Sequence, residues 1–499
     1  MSGFLSPEEL KKLKPAETSS FPSPIPTQVV SSDEFYPQRQ NKKQREVEAR
    51  LKEMGNELAR KQGMSRRAFF TTAAGMAAAF VAMNEVYGHI FDVTLVEAAT
   101  LEMADERAGA LRDQFIFDGH THFLRDDTQL NGFIKMRQAV GDAGWNPELK
   151  GKKQTIEDLK YNNYYKEIFL DSDTKVAIIS SAPSDIPRDW FLTNDMMAQT
   201  RAKVNGAAGS TRLMSHAIFT PGRPGWLDDL DRALALKPDS TKGYTVGDNT
   251  HKELAQYPWR MDDEKVTYLG YEKMQKAGIK NVCVHKGLFP PSLDGKFPRL
   301  RPYADVSDVG KAAKDWPQLN FVIYHSGYRN IGGGGDDAAE AWEHVQKTGR
   351  NDWVSDLAEI PSKYGVTNVY GDLGQVFASS TVAQPKLAAF LVGTLVKGLG
   401  VDRVVWGTDA LWTGSPQWQI EGLRRLEIPK DMQEQFGLKP LGPADGPVKT
   451  AIFSGNSTRI YNYKAPAHWA KMDRFAILRD EYLKAGPHRT NLRYGYVAV

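Results

Sequence analysis

Histidines in this sequence recur at the ends of short apolar segments, where they could bind a metal ion. His120 and His122 follow one such segment and are separated by a single residue. Because alternate residues of a β-strand point to the same face, both imidazoles could reach one ion. His285 and His325 each end a further segment, and Asp409 ends another. Four of the ten histidines and one carboxylate are therefore candidates for a single metal site.

The segments that carry these residues alternate with longer segments of helical period from about residue 114 onward. This alternation is typical of βα repeats around a parallel sheet. Eight strands over roughly 350 residues favour a (β/α)8 TIM barrel over a doubly wound sheet, and no dinucleotide fingerprint follows the first strand. In a TIM barrel the carboxyl ends of the strands form the active face, so all five candidates would meet there. The predicted strands are residues 115–118, 175–180, 213–219, 242–247, 281–285, 320–325, 368–373 and 403–409.

Several motifs of the sequence resemble the amidohydrolase superfamily, in particular its amidohydrolase-related branch, which includes aminocarboxymuconate semialdehyde decarboxylase and related aromatic-acid decarboxylases. The resemblance covers residues 116–461 and implies a metal-dependent enzyme. Besides His285 and His325 at strand ends, it rests on Asp118-Gly119-His120-Thr121-His122, Tyr370-Gly371-Asp372-Leu373, Trp406-Gly407-Thr408-Asp409 and Gly455-Asn456-Ser457-Thr458-Arg459-Ile460-Tyr461.

The same resemblance implies a role for each candidate. One divalent metal would be bound by His120, His122, His285 and Asp409, with His325 as the acid/base beside it. Three neutral nitrogens and one carboxylate suit Zn²⁺, and Mn²⁺, Fe²⁺ or Co²⁺ would accept the same ligands. A metal with an open position lowers the pKa of bound water and polarises a carbonyl. Asp409 could take the water's proton while His325 stabilises the oxyanion or protonates the leaving group, which predicts a hydrolase.

Strand 4 departs from the pattern of binuclear members, which carry a carboxylated lysine there. Residues 243–246 of this sequence hold no lysine, and Lys242 precedes the centre of the predicted strand. A mononuclear site is therefore expected. Lys286 follows His285 with the opposite strand parity and is interpreted as a rim residue. Cys283 shares the parity of His285 one layer deeper, which favours barrel filling over metal binding.

Further residues could bind substrate or support the ligands. Arg125 and Arg329 follow metal-site histidines by three and four residues, so they could hold an anionic substrate or form surface salt bridges. Trp412 could form a wall of the pocket. His216 could line the pocket or be a hydrogen-bonded core histidine. Asp372 could orient a ligand imidazole.

The charge of the chain is concentrated near its amino terminus. The 499 residues carry 64 Lys and Arg against 61 Asp and Glu, a net charge of +3. Up to Arg67 there are 13 basic and 9 acidic residues, so the remaining chain is close to neutral. This balance argues against a nucleic-acid-binding protein. A single cysteine excludes an intramolecular disulfide and any multi-cysteine metal site.

The basic part contains a motif that resembles a twin-arginine export signal. An uncharged Ala-rich stretch to residue 84 follows it. The resemblance implies that the chain folds and binds its metal before a twin-arginine translocon exports it to the periplasm. The leader would be cut near residue 98 or would stay attached and associate with the membrane, and Met64 is an alternative start. The other interpretation is a buried Ala-rich helix that follows two arginines by chance. The motif is Ser65-Arg66-Arg67-Ala68-Phe69-Phe70.

The chain divides into four predicted parts. These are a polar, partly helical extension (1–63), the signal-like segment (64–98), the barrel (113–465) and a tail that packs on the barrel (466–499). In the helix predicted at 42–62, one apolar stripe could dock on a partner helix or on the chain's own barrel. The family resemblance also implies a homodimer. The stripe consists of Val47, Leu51, Met54 and Leu58.

Three functions fit these residues. The first is an exported, metal-dependent hydrolase of an ester, lactone or amide. The second uses the same ligands for non-oxidative decarboxylation or hydration of an aromatic or unsaturated acid. The third is a non-catalytic metal-binding scaffold subunit that docks through residues 42–62. Export favours hydrolysis, because the decarboxylases of the resembled branch serve intracellular catabolism.

Overall fold

A computed structural model of the protein describes residues 23–29, 35, 38, 40–128, 130, 134–135, 138–139, 142, 151, 153, 155–248, 251–333, 336–464 and 474–486. Most of the predicted extension before residue 40 lies outside the described residues. So do residues 466–473 and 487–499 of the predicted tail.

Eight parallel strands form the barrel that the sequence predicts. Their spatial order is β1 to β8, and each strand pairs in parallel with the next. A parallel bridge between Thr121 and Ala410 brings the last strand back to the first. The strands are β1 Ile116–Thr121, β2 Thr174–Ile179, β3 Leu213–Ile218, β4 Ser240–Tyr244, β5 Asn281–His285, β6 Asn320–Tyr324, β7 Val369–Asp372 and β8 Val404–Val405.

Of the eight strands, β5 alone has the predicted bounds at both ends, and the differences in β4 and β8 bear on the site. The fourth strand begins and ends earlier than predicted, because pairing sets its register: Lys242 lies opposite Cys283, and Tyr244 lies opposite His285. Lys242 is therefore the centre of β4, and the prediction that it precedes the centre is wrong. Strand β8 is shorter than predicted, since the chain beyond Val405 bonds to β1 and turns.

Helices cover the outside of the barrel, as the βα repeat predicts. Those before the barrel are α1 Lys42–Lys61, α2 Arg66–Phe69, α3 Ala73–Tyr87, α4 Leu95–Ala99 and α5 Leu101–Leu111. Those within and after it are α6 Tyr161–Tyr165, α7 Asn194–Ala208, α8 Trp226–Ala235, α9 Thr267–Lys276, α10 Ser292–Lys296, α11 Arg301–Ala304, α12 Val309–Asp315, α13 Asp337–Thr348, α14 Asp352–Tyr364, α15 Val376–Ala383, α16 Pro385–Leu399, α17 Gln417–Arg425, α18 Lys430–Phe436, α19 Pro447–Thr450, α20 Asn456–Ile460 and α21 Arg474–Ala485.

Helix α1 packs on the chain itself. It begins after Asn41, whose side chain accepts a hydrogen bond from the backbone N–H of Gln44 while the Gln44 side chain accepts one from that of Asn41. The apolar stripe of Val47, Leu51, Met54 and Leu58 is buried, and the helix packs against α3. The stripe is therefore covered by the chain itself, on α3 instead of the predicted barrel, and docking of a partner helix stays a prediction.

Helix α3 is the Ala-rich run that follows the two arginines. Residues 74–83 are all buried. The ring of Phe80 packs on Phe91 with a centroid distance of 4.8 Å and lies against Gly422 of α17. In the described part of the chain, no helix is both long and apolar enough to cross a membrane. This run is thus part of the folded core, and the export route stays a prediction.

Buried ion pairs connect the segment before the barrel and helix α21 to the barrel. Glu97, next to the predicted cleavage point, accepts a hydrogen bond of 2.6 Å from Arg425 of α17. Asp173, just before β2, accepts bonds of 2.7 Å from Arg424 and from Arg479 of α21. The described helix of the predicted tail therefore lies against the amino end of β2.

Candidate metal centre

The five candidate residues lie at the carboxyl ends of strands, as the sequence predicts. His120 is in β1 and His122 follows it, while His285 ends β5. His325 and Asp409 follow β6 and β8 and adopt left-handed backbone conformations, with φ of 63° and 59°. Such backbones are uncommon outside glycine, cost about 1–3 kcal/mol each and cluster at functional sites. All five side chains are buried.

Three of the predicted ligands converge on one point. The Oδ1 atom of Asp409 lies 3.3 Å from Nε2 of His120 and 3.4 Å from Nε2 of His122. One donor atom from each of the three lies within 4.8 Å of the others. Two imidazole nitrogens and a carboxylate oxygen at this spacing form a donor set that fits a divalent metal ion.

Hydrogen bonds at the far side of each ring turn the Nε2 atoms toward this point. The Nδ1 atom of His120 lies 3.0 Å from Oδ1 of Asp372, and that of His122 lies 3.0 Å from the carbonyl oxygen of Ser180. Because these oxygens only accept, each Nδ1 carries the proton and each Nε2 keeps a lone pair. Asp372 thus contacts His120 at the position from which it could orient the ring, and its role in metal binding stays a prediction.

His325 is held in the same tautomer. Its Nδ1 atom donates to the carbonyl oxygen of Gly374 at 2.9 Å, which leaves Nε2 as a proton acceptor. Its ring centroid lies 4.9 Å from that of His120. Together with His120 and Asp372, it forms a second group of close donor atoms. His325 is thus next to the ligands, in a position for proton transfer.

His285, the fourth predicted ligand, lies beside this cluster. Its ring centroid is 4.4 Å from that of His325, and Tyr244 stacks on it at 4.5 Å. It does not belong to either group of donor atoms that lie within 4.8 Å of one another. The structure therefore brings three of the four predicted ligands to one point and places the fourth next to them.

Burial dominates the electrostatics of the site. It lowers the pKa of His120, His285 and His325 well below the usual 6.5, and the positive charge of Lys242 adds to this effect. Burial also raises the pKa of Asp409 to about 8. The imidazoles are consequently neutral, which is the form that binds metals.

Lys242 is a site residue that the sequence analysis missed. Its Nζ atom lies 3.4 Å from Nε2 of His120 and 3.5 Å from the ring centroid of Tyr324. The signal that could have found it is the period of two along β4, since Lys242 has the same parity as Tyr244. A second buried residue, Asp118, accepts bonds from the backbone N–H groups of His120 and Thr408 and so joins β1 to the chain after β8.

The two predicted substrate arginines already have partners in the chain. Arg329 is buried, donates to Oδ1 of Asp294 at 2.7 Å and lies 4.1 Å from the ring centroid of Trp353. Arg125 donates to the carbonyl oxygen of Arg188. Neither position supports the predicted binding of an anionic substrate, which stays a prediction.

The remaining candidates are core residues or wall residues. Trp412 stacks on His122 with a centroid distance of 5.9 Å, and its role as a wall of the pocket stays a prediction. His216 is the hydrogen-bonded core histidine: its Nε2 atom is 2.8 Å from the hydroxyl of Tyr324. Cys283 is fully buried in the barrel, as predicted. Lys286 is not a rim residue, because its side chain is buried and pairs with Asp308 at 2.9 Å.

Comparison with known proteins gives one family match and several distant structural matches. A 5-carboxyvanillate decarboxylase from Sphingomonas paucimobilis is 16% identical, with 70% of this chain and 100% of that chain covered and a TM-score of 0.40. A manganese-bound dihydroxybenzoic acid decarboxylase from Polaromonas is 14% identical (70% and 97% covered, TM-score 0.39), and an amidohydrolase from Burkholderia multivorans is 12% identical (70% and 99%, TM-score 0.39). No curated protein matches the sequence. The amidohydrolase family model matches residues 117–463, well over half of the chain, and the protein therefore belongs to the amidohydrolase superfamily of metal-dependent enzymes.

Proposed function

We propose that the protein is a metal-dependent hydrolase of an ester, lactone or amide bond. The observation that supports this most is the Nε2 atom of His325, a neutral proton acceptor beside the proposed ligand His120. Hydrolysis needs such an acceptor, because the attacking water must lose a proton as it bonds to the carbonyl carbon. The hydrogen bond to Gly374 holds the ring in the tautomer that the reaction requires.

Each residue of the site has a separate role in this proposed reaction. When bound by His120, His122 and Asp409, a divalent metal supplies a Lewis acid for the substrate carbonyl. In this proposal His325, instead of Asp409 as the sequence analysis expects, accepts the proton of the attacking water at Nε2 and then donates it to the leaving atom, so that the proton balance closes. Asp372 keeps the ring of His120 oriented. The ring of Trp412 covers His122 and excludes water from that side.

The second candidate is a metal-dependent decarboxylase or hydratase of an aromatic or unsaturated acid. The aromatic walls of the site favour it, since Trp412 stacks on His122, Phe191 packs on Trp412 at 5.2 Å, and Tyr244 stacks on His285. Flat rings suit a flat substrate, because offset stacking adds to the free energy of burial.

Isotope labelling separates the two reactions. Purified enzyme is offered esters, lactones, amides and aromatic acids in water enriched in ¹⁸O and, in parallel, in D₂O. A hydrolase places one ¹⁸O atom in the product acid and releases no carbon dioxide. A decarboxylase releases carbon dioxide and places one deuterium on the carbon that carried the carboxylate, which would contradict the hydrolase proposal.

We also propose zinc as the metal, because neutral imidazoles are ligands that Zn²⁺ prefers. Metal analysis of the purified protein tests this, and manganese, iron or cobalt in its place would contradict it.

Periplasmic export through the twin-arginine translocon and a homodimer are likewise proposals. Fusion of residues 1–98 to a folded reporter tests export. The reporter should leave the cytoplasm, whereas a fusion with the double substitution Arg66→Lys, Arg67→Lys should stay there.

A further inference from the structure

A cavity of about 290 Å³ lies at the end of the barrel opposite the metal centre. Thr174 and Lys175 at the start of β2 and Arg212 just before β3 form one side of it. Phe475 and Arg479 of helix α21 form another. Since the metal ligands lie at the carboxyl ends of the strands, this cavity is separate from the site already described.

Positive charge dominates the wall of the cavity. Among the residues that the structure describes, the charged ones in the wall comprise four cations and two carboxylates, an excess of two positive charges. Behind the wall, Asp173 pairs with Arg479 and with Arg424, and Arg424 also pairs with Glu421. The cations are Arg112, Lys175, Arg212 and Arg479, and the carboxylates are Asp113 and Asp480.

Lys175 carries the charge that is least compensated. It is 7% exposed, and its Nζ atom donates to the backbone carbonyl of Arg112 at 3.0 Å. It forms no salt bridge with any carboxylate of the described residues. A buried ammonium that no carboxylate contacts directly is rare, because little of the lost hydration is recovered. Burial lowers the pKa of Lys175 to about 8; the charges of Arg479 and Arg212 add to this effect and those of Asp173 and Asp113 oppose it.

The other cations are already held in place. Arg212 is 5% exposed and donates to the carbonyl oxygen of Lys175 at 3.0 Å, while its guanidinium carbon lies 5.5 Å from the ring centroid of Phe475. Arg479 donates to Leu170 at 3.2 Å and to Asp173 at 2.7 Å, which uses two of its five N–H groups. Fixed donors around a cavity lower the entropy cost of binding a ligand.

We propose that this cavity binds a phosphate group, either free phosphate or the phosphoryl group of a small metabolite. A phosphate dianion matches the excess of two positive charges. Guanidinium groups and an ammonium group are the side chains that recognise phosphate oxygens, the former through paired N–H donors. Because α21 contributes one wall, the bound anion also links helix α21 to the barrel.

Calorimetric titration of the full-length protein with sodium phosphate, at constant ionic strength, tests the proposal. Phosphate should bind saturably, and Lys175→Met and Arg212→Gln should each weaken binding at least about tenfold. The surface variant Lys347→Met, which removes the same charge from helix α13, should bind like the wild type. Absence of saturable binding, or wild-type affinity in both cavity variants, would overturn the proposal.

The metal centre could also attract phosphate, so His122→Ala serves as a second control. Its phosphate affinity should equal that of the wild type, and loss of binding in this variant would overturn the assignment to the cavity. Glycerol 3-phosphate and succinate complete the series. If inorganic phosphate and glycerol 3-phosphate bind equally well, free phosphate is the ligand that the cavity requires. If glycerol 3-phosphate binds more tightly, the ligand is a phosphorylated metabolite. Succinate that binds as tightly as phosphate would contradict the proposed ligand class.

Hydrogen exchange of the wild-type protein keeps the proposal testable even if a cavity variant does not fold. Phosphate should slow exchange of amides in α21 and at the start of β2, while amides of α13 stay unchanged. Protection confined to the carboxyl ends of the strands would place the anion elsewhere and overturn the proposal.

Discussion

The amine nitrogen of Lys242 lies 3.4 Å from Nε2 of His120, the nitrogen that faces the metal position. A cation at this distance opposes the binding of another cation. At an effective dielectric constant of about 20, two unit charges 4 Å apart interact with about 4 kcal/mol. Lys242→Met should therefore raise the affinity for a divalent metal by about tenfold or more, as measured by competition with a chelator.

Lys347→Met on the surface is the control for the Lys242 prediction, since it removes an equal charge far from the site. It should leave the metal affinity unchanged. Weaker metal binding by Lys242→Met would show that this lysine helps to hold the metal, contrary to our expectation.

Asp372→Asn should weaken metal binding by about 10- to 100-fold, because the carboxylate no longer fixes the ring of His120. The side chain also accepts hydrogen bonds from the backbone N–H groups of His325 and Gly374. The matched control is Asp308→Asn, which is equally buried but pairs with Lys286. The control should lose stability without losing metal affinity. Equal metal affinity in both variants would show that Asp372 does not orient His120.

His325→Asn should lower turnover by about 10²- to 10⁴-fold while the bound metal is retained. Asparagine is the appropriate replacement because it tolerates the left-handed backbone found at this position. Turnover and metal content are measured on the same preparation. A variant that keeps both full metal content and full turnover would show that His325 does not transfer the proton.

Phe80→Ala should lower the free energy of unfolding by about 3–5 kcal/mol, since the ring is fully buried against Phe91. Leu95→Ala, in the same signal-like segment but 52% exposed, should change it little. Urea unfolding of the purified full-length chain measures both. If Phe80→Ala left stability unchanged, helix α3 would not be part of the core, as expected of a removable leader.

The buried charge of Lys175 should make the free energy of unfolding depend on pH. Its pKa is about 8 in the folded protein against 10.5 for an ordinary lysine. Below pH 8 both states are protonated, so the folded state bears the full penalty of the buried charge. Between pH 8 and 10.5 the folded lysine is neutral while the unfolded one still binds a proton, and stability rises by up to about 1.4 kcal/mol per pH unit.

Lys175→Met removes this charge and should be more stable than the wild type at pH 7 in phosphate-free buffer. The difference should shrink as pH rises from 8 to 10.5, as measured by urea unfolding at pH 7, 8.5 and 10. A difference that stays constant with pH would mean that the lysine is charged in the folded state throughout this range.

The sequence alone determined the barrel and the position of the site along the chain. Eight apolar segments separated by helical ones leave few arrangements other than a (β/α)8 barrel, and the strand period of two places His120 and His122 on one face. Candidate ligands at strand ends could be predicted because parallel strands all end at the same side. The family resemblance then assigned roles to those positions.

Tertiary structure decided which side chains meet. The sequence of β4 lacks a clear alternation of apolar residues, so its register, and with it the inward position of Lys242, depends on pairing with β3 and β5. The partner of Arg329 is Asp294, which is 35 residues away along the chain and close only in the fold. The Ala-rich run of α3 has the composition of either a leader or a core helix. Only packing against α1 and α17 places it in the core, because the free energy of burial depends on the surface that a helix meets and not on its composition.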